Sequence, residues 1–278
     1  MKFQNEAYQI MKNDIFFTDD EIELSEKYHN QGYVIHNVKN KEALEWIRNL
    51  FISLIRENLA IKKNIPDHDL FNLIHTELSV SQLNDFRLDM ISQMNSAKGF
   101  KKRYYQIAKP YLDIIVGNEL SMQSKINLSI QLPDDDSSLL ATHADTWSGD
   151  SPFEVVVWLP LVDCYNTKSM YILPPSKNIE LNRNFKKISE GNSKDLFKAI
   201  EQDVQWIDIN YGEVMIFNQS LPHGNQINRE GETRWSMNCR FKSVFSPYGD
   251  KKIGEFFEPI TIRPASVSAL NYQHPEVT

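Results

Sequence analysis

Apolar residues recur at helical spacing along the first part of the chain. Between Asn40 and Asn58 they lie three or four positions apart, on one side of a predicted helix: Ala43, Leu44, Ile47, Leu50, Phe51, Leu54 and Ile55. Thr18–Glu21 is typical of a capping box, which predicts an earlier helix that ends near His29. Helical spacing returns from Leu83 to Val116, so residues 1–120 are predicted to form a mainly helical flanking region.

Short strands are predicted from near Ser124 onwards. Lys125–Gln131 alternates polar and apolar residues as a half-buried strand does, and Phe153–Leu159 is dense in β-branched residues. Further strands are predicted at 169–173, 204–209, 214–217 and 233–244. A charged segment near 179–203 is predicted to be a helical insertion. Together these patterns predict a mostly β fold with N-terminal helices and a double-stranded β-helix, or jelly-roll, core.

Length and composition limit the class of protein. The 278 residues are predicted to form a single domain, with the jelly-roll core at 121–250 and a C-terminal tail at 251–278. The net charge of −7 argues against nucleic acid or an anionic membrane surface as a partner. Cys164 and Cys239 are too few for a disulfide framework, and Met1–Phe16 lacks the apolar segment of a signal peptide. We therefore expect a cytoplasmic protein with no nucleic-acid partner and no membrane insertion.

The candidate chemistry begins at the tripeptide His143-Ala-Asp145. On a strand, His143 and Asp145 would point to the same face. His223 follows next to another predicted strand, and Gly224 after it would allow close backbone approach to a metal site. Two imidazoles and one carboxylate on one face of a metal, with the opposite face open, are the facial triad of non-haem Fe(II) oxygenases.

A polar face on a later strand predicts an anion site. Alternation from Arg234 places four polar residues on one side of an otherwise apolar sheet: Arg234, Ser236, Asn238 and Arg240. An anion inside the protein would explain them, because a guanidinium binds a carboxylate through two parallel hydrogen bonds. The spacing from His223 favours Arg234 as the carboxylate anchor, with Arg240 as the competing candidate. Joined to the triad, this face suggests an enzyme that activates O₂ with iron and a keto acid.

The region from about Lys125 to Val244 resembles the phytanoyl-CoA dioxygenase-like branch of the Fe(II)/2-oxoglutarate-dependent oxygenases. The segments that carry the resemblance are Gly32–Ile35, His143–Asp145, Leu173–Ser176, Gly212–Phe217, His223–Asn225, Asn228, Arg234–Ser236 and Arg240. The arrangement is similar, more narrowly, to oxygenases encoded among bacterial surface-carbohydrate genes. Lys177 departs from the pattern, because many relatives have a histidine there, but that histidine is not a metal ligand.

The resemblance implies a cofactor, two cosubstrates and their binding residues. Fe(II) would be held by His143, Asp145 and His223, and it would be chelated by the 2-oxo group and 1-carboxylate of 2-oxoglutarate. The distal carboxylate of 2-oxoglutarate would pair with Arg234, helped by Ser236, and O₂ would be the second cosubstrate. Some relatives that halogenate carry a small residue at the position of the carboxylate, so Asp145 implies hydroxylation or another C–H oxidation.

Several assignments stay open at this point. Asn127 is a candidate second polar contact to 2-oxoglutarate, and it is equally well explained as an ordinary outward polar residue. The substrate implied is a small polar molecule, such as a sugar or nucleotide sugar of surface-carbohydrate biosynthesis. The alternatives are a cupin-type metalloenzyme, which shares the jelly-roll, and a non-catalytic jelly-roll module that binds carbohydrate.

Overall fold

The computed structural model describes residues 16–61, 64–189 and 193–275. The segment Met1–Phe16, for which no signal peptide is predicted, lies outside the described residues except for Phe16. The described part of the N-terminal flank contains five α-helices: α1 (Asp19–Gln31), α2 (Lys41–Asn58), α3 (Leu70–Leu73), α4 (Val80–Ser96) and α5 (Phe100–Ile115). A short strand, β1 (Tyr33–Asn37), lies between α1 and α2.

The helices begin and end at the signals that the sequence carries. The Thr18 side chain accepts from the Glu21 backbone, and Glu21 accepts in return from the Thr18 backbone, which forms the predicted capping box of α1. The helical stretch from Leu83 to Val116 consists of two helices rather than one. Gly99 separates α4 from α5, and its φ of +84° is a left-handed conformation that glycine adopts without a steric penalty.

Two antiparallel sheets form the core. The strands after α5 are β2 (Leu120–Gln123), β3 (Asn127–Gln131), β4 (Val155–Pro160), β5 (Tyr171–Ile172), β6 (Gln205–Trp206), β7 (Glu213–Asn218), β8 (His223–Gly224), β9 (Arg234–Ser243) and β10 (Phe257–Pro259). The larger sheet has the order β1-β7-β4-β9-β2-β10, with β3 also paired to β9, and the smaller has the order β6-β5-β8. This architecture confirms the predicted jelly-roll core with N-terminal helices.

The helical flank covers one face of the larger sheet. Helices α3, α4 and α5 pack against β9, β3 and β7 respectively, and α1 packs against β1. Trp235 on β9 lies at the centre of this contact, because its ring meets Phe51, Phe71 and Phe86 edge-on. The opposite face of the larger sheet is therefore left to face the smaller sheet.

The predicted insertion and tail contain further elements. The insertion forms two helices, α6 (Pro175–Ser189) and α7 (Ser193–Ile200). In the tail, β10 adds to the edge of the larger sheet beside β2, and it is followed by α8 (Pro264–Leu270). Among the described helices, none combines the length and apolar character needed to cross a membrane.

Candidate metal centre and its cavity

Three predicted metal ligands converge although one predicted strand does not form. His143 and His223 exchange two backbone hydrogen bonds, of 3.0 Å and 2.8 Å, in an isolated bridge. Asp145 does not continue that strand; it begins a short 3₁₀ helix, Asp145–Ser148, and donates its backbone N–H to the Gln219 carbonyl. The expectation that His143 and Asp145 share one face of a strand is therefore wrong, and the turn brings the two side chains together instead.

The three side chains are arranged as ligands around one point. One ligand atom from each of His143, Asp145 and His223 lies within 4.8 Å of the others. Each histidine Nδ1 lies close to a backbone carbonyl, that of Ala141 at 2.7 Å for His143 and that of Leu221 at 2.8 Å for His223. With Nδ1–H donated to the carbonyl, the lone pair of each Nε2 remains available for a metal, as in most histidine metal sites.

Electrostatics favour the protonation states that a metal requires. Burial would raise the pKa of Asp145, but attraction to a protonated His223 and to Arg240, with a hydrogen bond from Arg240, outweighs burial and holds that pKa below its usual value. Burial, aided by the neighbouring His143, lowers the pKa of His223 to about 4. Asp145 is therefore ionised and His223 neutral near neutral pH, and these are the forms that bind metals.

Arg240 is engaged by the triad carboxylate. Its Nη2 lies 3.0 Å from Asp145 Oδ1, and its Nε donates to Gln219 Oε1 at 3.0 Å. Gln219 in turn donates to Glu154 Oε2 at 2.9 Å and to the Ser151 carbonyl at 3.0 Å. Arg240 therefore has a fixed partner inside the cavity, and a side-chain network behind it holds it in place.

Arg234 has no such carboxylate partner among the described residues. It is 2% exposed, and it donates to the Ser169 carbonyl at 3.1 Å and to Ser129 Oγ at 2.9 Å. Its Nε has no hydrogen-bond partner. Burial lowers the pKa of the Arg234 guanidinium to about 10, because its charge is not neutralised. An enclosed cation with an unused donor fits an anionic ligand, since a buried charge is otherwise costly.

One cavity of about 330 Å³ connects the triad to the polar face of β9. The predicted residues Arg234, Ser236, Asn238 and Arg240 line it together with the triad. Asn127 lines it too, but its side chain bonds to Asn238 at 2.9 Å and makes no contact with Arg234. The residues predicted for the site therefore line one cavity, and their individual roles stay proposals.

Three polar residues that line this cavity, Arg87, Ser129 and Ser138, were not predicted from the sequence. Ser129 bonds Arg234, and the alternation of β3 places it on the same face as Asn127, so a signal for it was present. Arg87 lines the cavity from α4, far from every motif, and no sequence pattern marked it.

The loop before His143 is fastened across the cavity by Asn225. Asn225 Oδ1 accepts from the Leu140 backbone at 2.6 Å, and the Asn225 backbone donates to the Leu140 carbonyl at 3.1 Å. Gly224 permits this approach, because a Cβ there would lie 2.7 Å from the Tyr171 hydroxyl and 2.8 Å from the Leu140 carbonyl. Glycine after His223 thus has a steric cause, contact with Tyr171 and with the loop, and its close approach to a metal stays a prediction.

Comparison with known proteins identifies the fold. No family model and no curated protein matches the chain. A nickel complex of the non-heme monooxygenase ThoJ superposes with a TM-score of 0.55 at 15% identity, covering 92% of this chain and 89% of that one. EctD from S. alaskensis, solved with 2-oxoglutarate and 5-hydroxyectoine, gives 0.51 at 13% identity, covering 85% of this chain and 79% of that one. HygX from Streptomyces hygroscopicus, solved with nickel and 2-oxoglutarate, gives 0.50 at 12% identity, covering 85% and 90%. At these identities the likeness shows a shared jelly-roll fold.

Proposed function

We propose that this protein is an Fe(II)- and 2-oxoglutarate-dependent oxygenase that oxidises a C–H bond of a small polar substrate. The observation that carries the proposal is one cavity that holds both an open His-Asp-His donor set and a buried arginine for which the described residues provide no carboxylate partner. A metal alone would explain the first feature, and an anion alone the second. A metal-chelating keto acid with a distal carboxylate explains both. The structural likeness to proteins solved with nickel, with 2-oxoglutarate or with both supports the same assignment.

The donor set fits Fe(II). His143 and His223 would bind through Nε2, oriented by their Nδ1 bonds to backbone carbonyls. Asp145 would bind through a carboxylate oxygen while Arg240 fixes its orientation. Two imidazoles and one carboxylate leave positions on the metal for a chelating cosubstrate and O₂. When bound, Fe(II) supplies oxidative decarboxylation of 2-oxoglutarate coupled to oxidation of the substrate.

The remaining residues position the cosubstrate and control the environment. Arg234 would pair with the distal carboxylate of 2-oxoglutarate, and Ser236, on the same face of β9, would add a hydroxyl contact. Asn127 is proposed as a polar neighbour rather than as an anchor, because its amide is engaged by Asn238. The loop fastened by Asn225 would limit water access and so protect a reactive centre.

Anaerobic titration tests the metal and keto-acid assignment directly. Wild-type protein with Fe(II) and 2-oxoglutarate should develop the weak visible charge-transfer band of the chelate. His143→Ala and His223→Ala should remove tight Fe(II) binding and the band, while the circular dichroism spectrum of each variant stays close to wild type. A wild-type protein without the band, or alanine variants that bind Fe(II) equally well, would overturn the proposal and leave a binding module or another metalloenzyme.

The reaction type is proposed to be oxygenation rather than halogenation. Asp145 would bind the metal where a halide would otherwise bind, and its salt bridge with Arg240 would hold it in that orientation. In ¹⁸O₂ with chloride present, the product mass should show labelled oxygen, or a loss of two hydrogens if the oxidised carbon already bears a hydroxyl, so that the hydroxylated product loses water to form a carbonyl. A chlorinated product would contradict hydroxylation even with the iron site intact. A sugar or nucleotide sugar remains our proposed substrate type, and a cytoplasmic location our proposed compartment.

A further inference from the structure

The cavity contains more positive than negative side-chain charge. Its lining includes three arginines, Arg87, Arg234 and Arg240, against a single carboxylate, Asp145. This excess contrasts with a net charge of −7 for the whole chain. Dianionic 2-oxoglutarate offsets the charge of a divalent metal, so binding of the pair would leave the side-chain excess in place.

Two of the three arginines already have a role in the proposed function. Arg240 forms a salt bridge with Asp145 at 3.0 Å and bonds Gln219, so its charge is neutralised within the protein. Arg234 is enclosed and is assigned to the distal carboxylate of 2-oxoglutarate. Arg87 is the remaining cation, and nothing in the metal and keto-acid assignment uses it.

Arg87 is placed to receive a second anion. It lies on α4, which packs along β3. The hydrogen bond found for its side chain is 2.9 Å, from Nη2 to Asn84 Oδ1. No carboxylate of the described residues lies within salt-bridge distance of it. Asp85 and Asp89 are two positions away on either side, and residues at that spacing do not face each other on a helix.

We infer that the substrate carries an oxyanion, a phosphate or carboxylate group, that binds Arg87 while the carbon to be oxidised lies toward the metal. This inference rests on the proposed function and adds the substrate class to it. A guanidinium suits this role, because its planar donors match two oxygens of a phosphate or carboxylate. Ser138 and Asn238 line the same cavity, and the Ser138 hydroxyl and the Asn238 NH₂ group can serve hydroxyls on the rest of the molecule.

Paramagnetic relaxation tests this inference without turnover. The protein is loaded with Mn(II), which N/O metal sites such as this one accept, saturated with 2-oxoglutarate and dialysed to remove free metal. Glucose 1-phosphate, glucuronate and glucose then serve as probes, and the relaxation of each anomeric proton is measured against probe concentration. Glucose 1-phosphate or glucuronate should show saturable enhancement and glucose should not. Which of the two anions responds more strongly distinguishes a phosphate from a carboxylate substrate.

Two variants locate the anion site. Arg87→Gln should weaken anion binding by about tenfold or more, as expected for loss of a charged hydrogen-bond partner. Arg229→Gln is the control, because Arg229 also carries a guanidinium, exposed where that of Arg87 is half-buried, but pairs with Asp134 at 2.6 Å and does not line the cavity. Arg229→Gln should bind the anion as wild type does. Arg87→Lys keeps the charge and should retain part of the affinity.

The outcomes separate this inference from the proposed function. Three results would contradict an anionic substrate while the metal and 2-oxoglutarate remain bound. They are equal relaxation enhancement for glucose and the anions, equal anion binding by Arg87→Gln and wild type, and no enhancement for either anion. Failure of the wild-type protein to bind Mn(II) together with 2-oxoglutarate would overturn the proposed function, and this inference with it.

Discussion

The two faces of strand β9 carry side chains of opposite character on one backbone. Toward the helices, Trp235, Met237 and Cys239 are fully buried in the apolar core. Toward the cavity, Arg234 and Arg240 present charged groups beside a serine and an asparagine. Burial of apolar area stabilises the fold, whereas an enclosed cation without a counter-ion opposes it. We therefore expect substitutions on the helix face to lower stability and substitutions on the cavity face to lower ligand affinity.

Among the variants that test this difference between the faces, Trp235→Ala should have the largest effect, which is a loss of stability. The indole is 0% exposed, donates to the Phe71 carbonyl at 3.0 Å and meets three phenylalanine rings edge-on. Its removal should lower the free energy of unfolding by about 3–5 kcal/mol, the range for truncation of a buried large aromatic residue. Urea denaturation measures this loss.

The matched control for this position is Trp235→Phe, which keeps an aromatic ring but loses the hydrogen bond to Phe71. Trp235→Phe should lower the free energy of unfolding by less than Trp235→Ala does. It should leave the affinity for 2-oxoglutarate in the folded protein close to wild type. A Trp235→Ala protein as stable as wild type would show that the helices do not depend on this contact.

Arg234→Met tests the opposite face. The affinity for 2-oxoglutarate should fall by about 2–5 kcal/mol, the cost of removing one member of a buried charge pair. The free energy of unfolding without ligand should be unchanged or higher, because an uncompensated buried charge is removed. Titration of the charge-transfer band gives the affinity, and urea denaturation of the ligand-free protein gives the stability.

Arg234→Lys separates charge from geometry at the same position. It keeps the positive charge and loses the planar donor pair, so its affinity for 2-oxoglutarate should lie between those of wild type and Arg234→Met. If Arg234→Met bound 2-oxoglutarate as tightly as wild type does, another residue would be the carboxylate anchor. The proposed functional difference between the two faces of β9 would then be wrong.

Arg240→Met should act on the metal more than on the cosubstrate. Arg240 touches Asp145 and Gln219, so its loss leaves the triad carboxylate without its orienting partner. Fe(II) affinity should fall by about tenfold to a hundredfold, as for other residues that orient metal ligands. Competition with a chromophoric chelator measures this change. A larger loss of 2-oxoglutarate affinity than in Arg234→Met would reverse the roles of the two arginines.

The two faces of β9 also illustrate which structural features can be predicted from the sequence. Alternation along β9 separated Arg234 from Trp235 correctly, because a strand has a fixed period of two. The capping box at Thr18 was local in the same way and could be predicted. These features depend on residues that are close in the chain, and so their sequence pattern is sufficient.

Features made by distant segments could not be predicted in this way. The turn at Asp145 depends on a hydrogen bond to the Gln219 carbonyl, and the salt bridge of Arg240 depends on where that turn places Asp145. Arg87 reaches the cavity only because α4 packs along β3. In each case the partner is set by tertiary packing, for which the local pattern carries no signal.

Asn127→Ala should have the smallest effect on 2-oxoglutarate affinity, and it tests how far along β3 the binding site for 2-oxoglutarate extends. Asn127 lines the cavity at its exposed edge and bonds to Asn238, whereas Ser129, further along β3, bonds Arg234. Loss of one partly exposed hydrogen bond between side chains should change 2-oxoglutarate affinity by about 0.5–1.5 kcal/mol at most. Ser129→Ala is the matched comparison and should cost more, since it removes a partner of the buried guanidinium. Titration of the charge-transfer band in both variants ranks them. If Asn127→Ala were the more damaging, the cosubstrate would extend along β3 past Ser129, and the assignment of Asn127 as a second contact to 2-oxoglutarate would replace its proposed role as a neighbour.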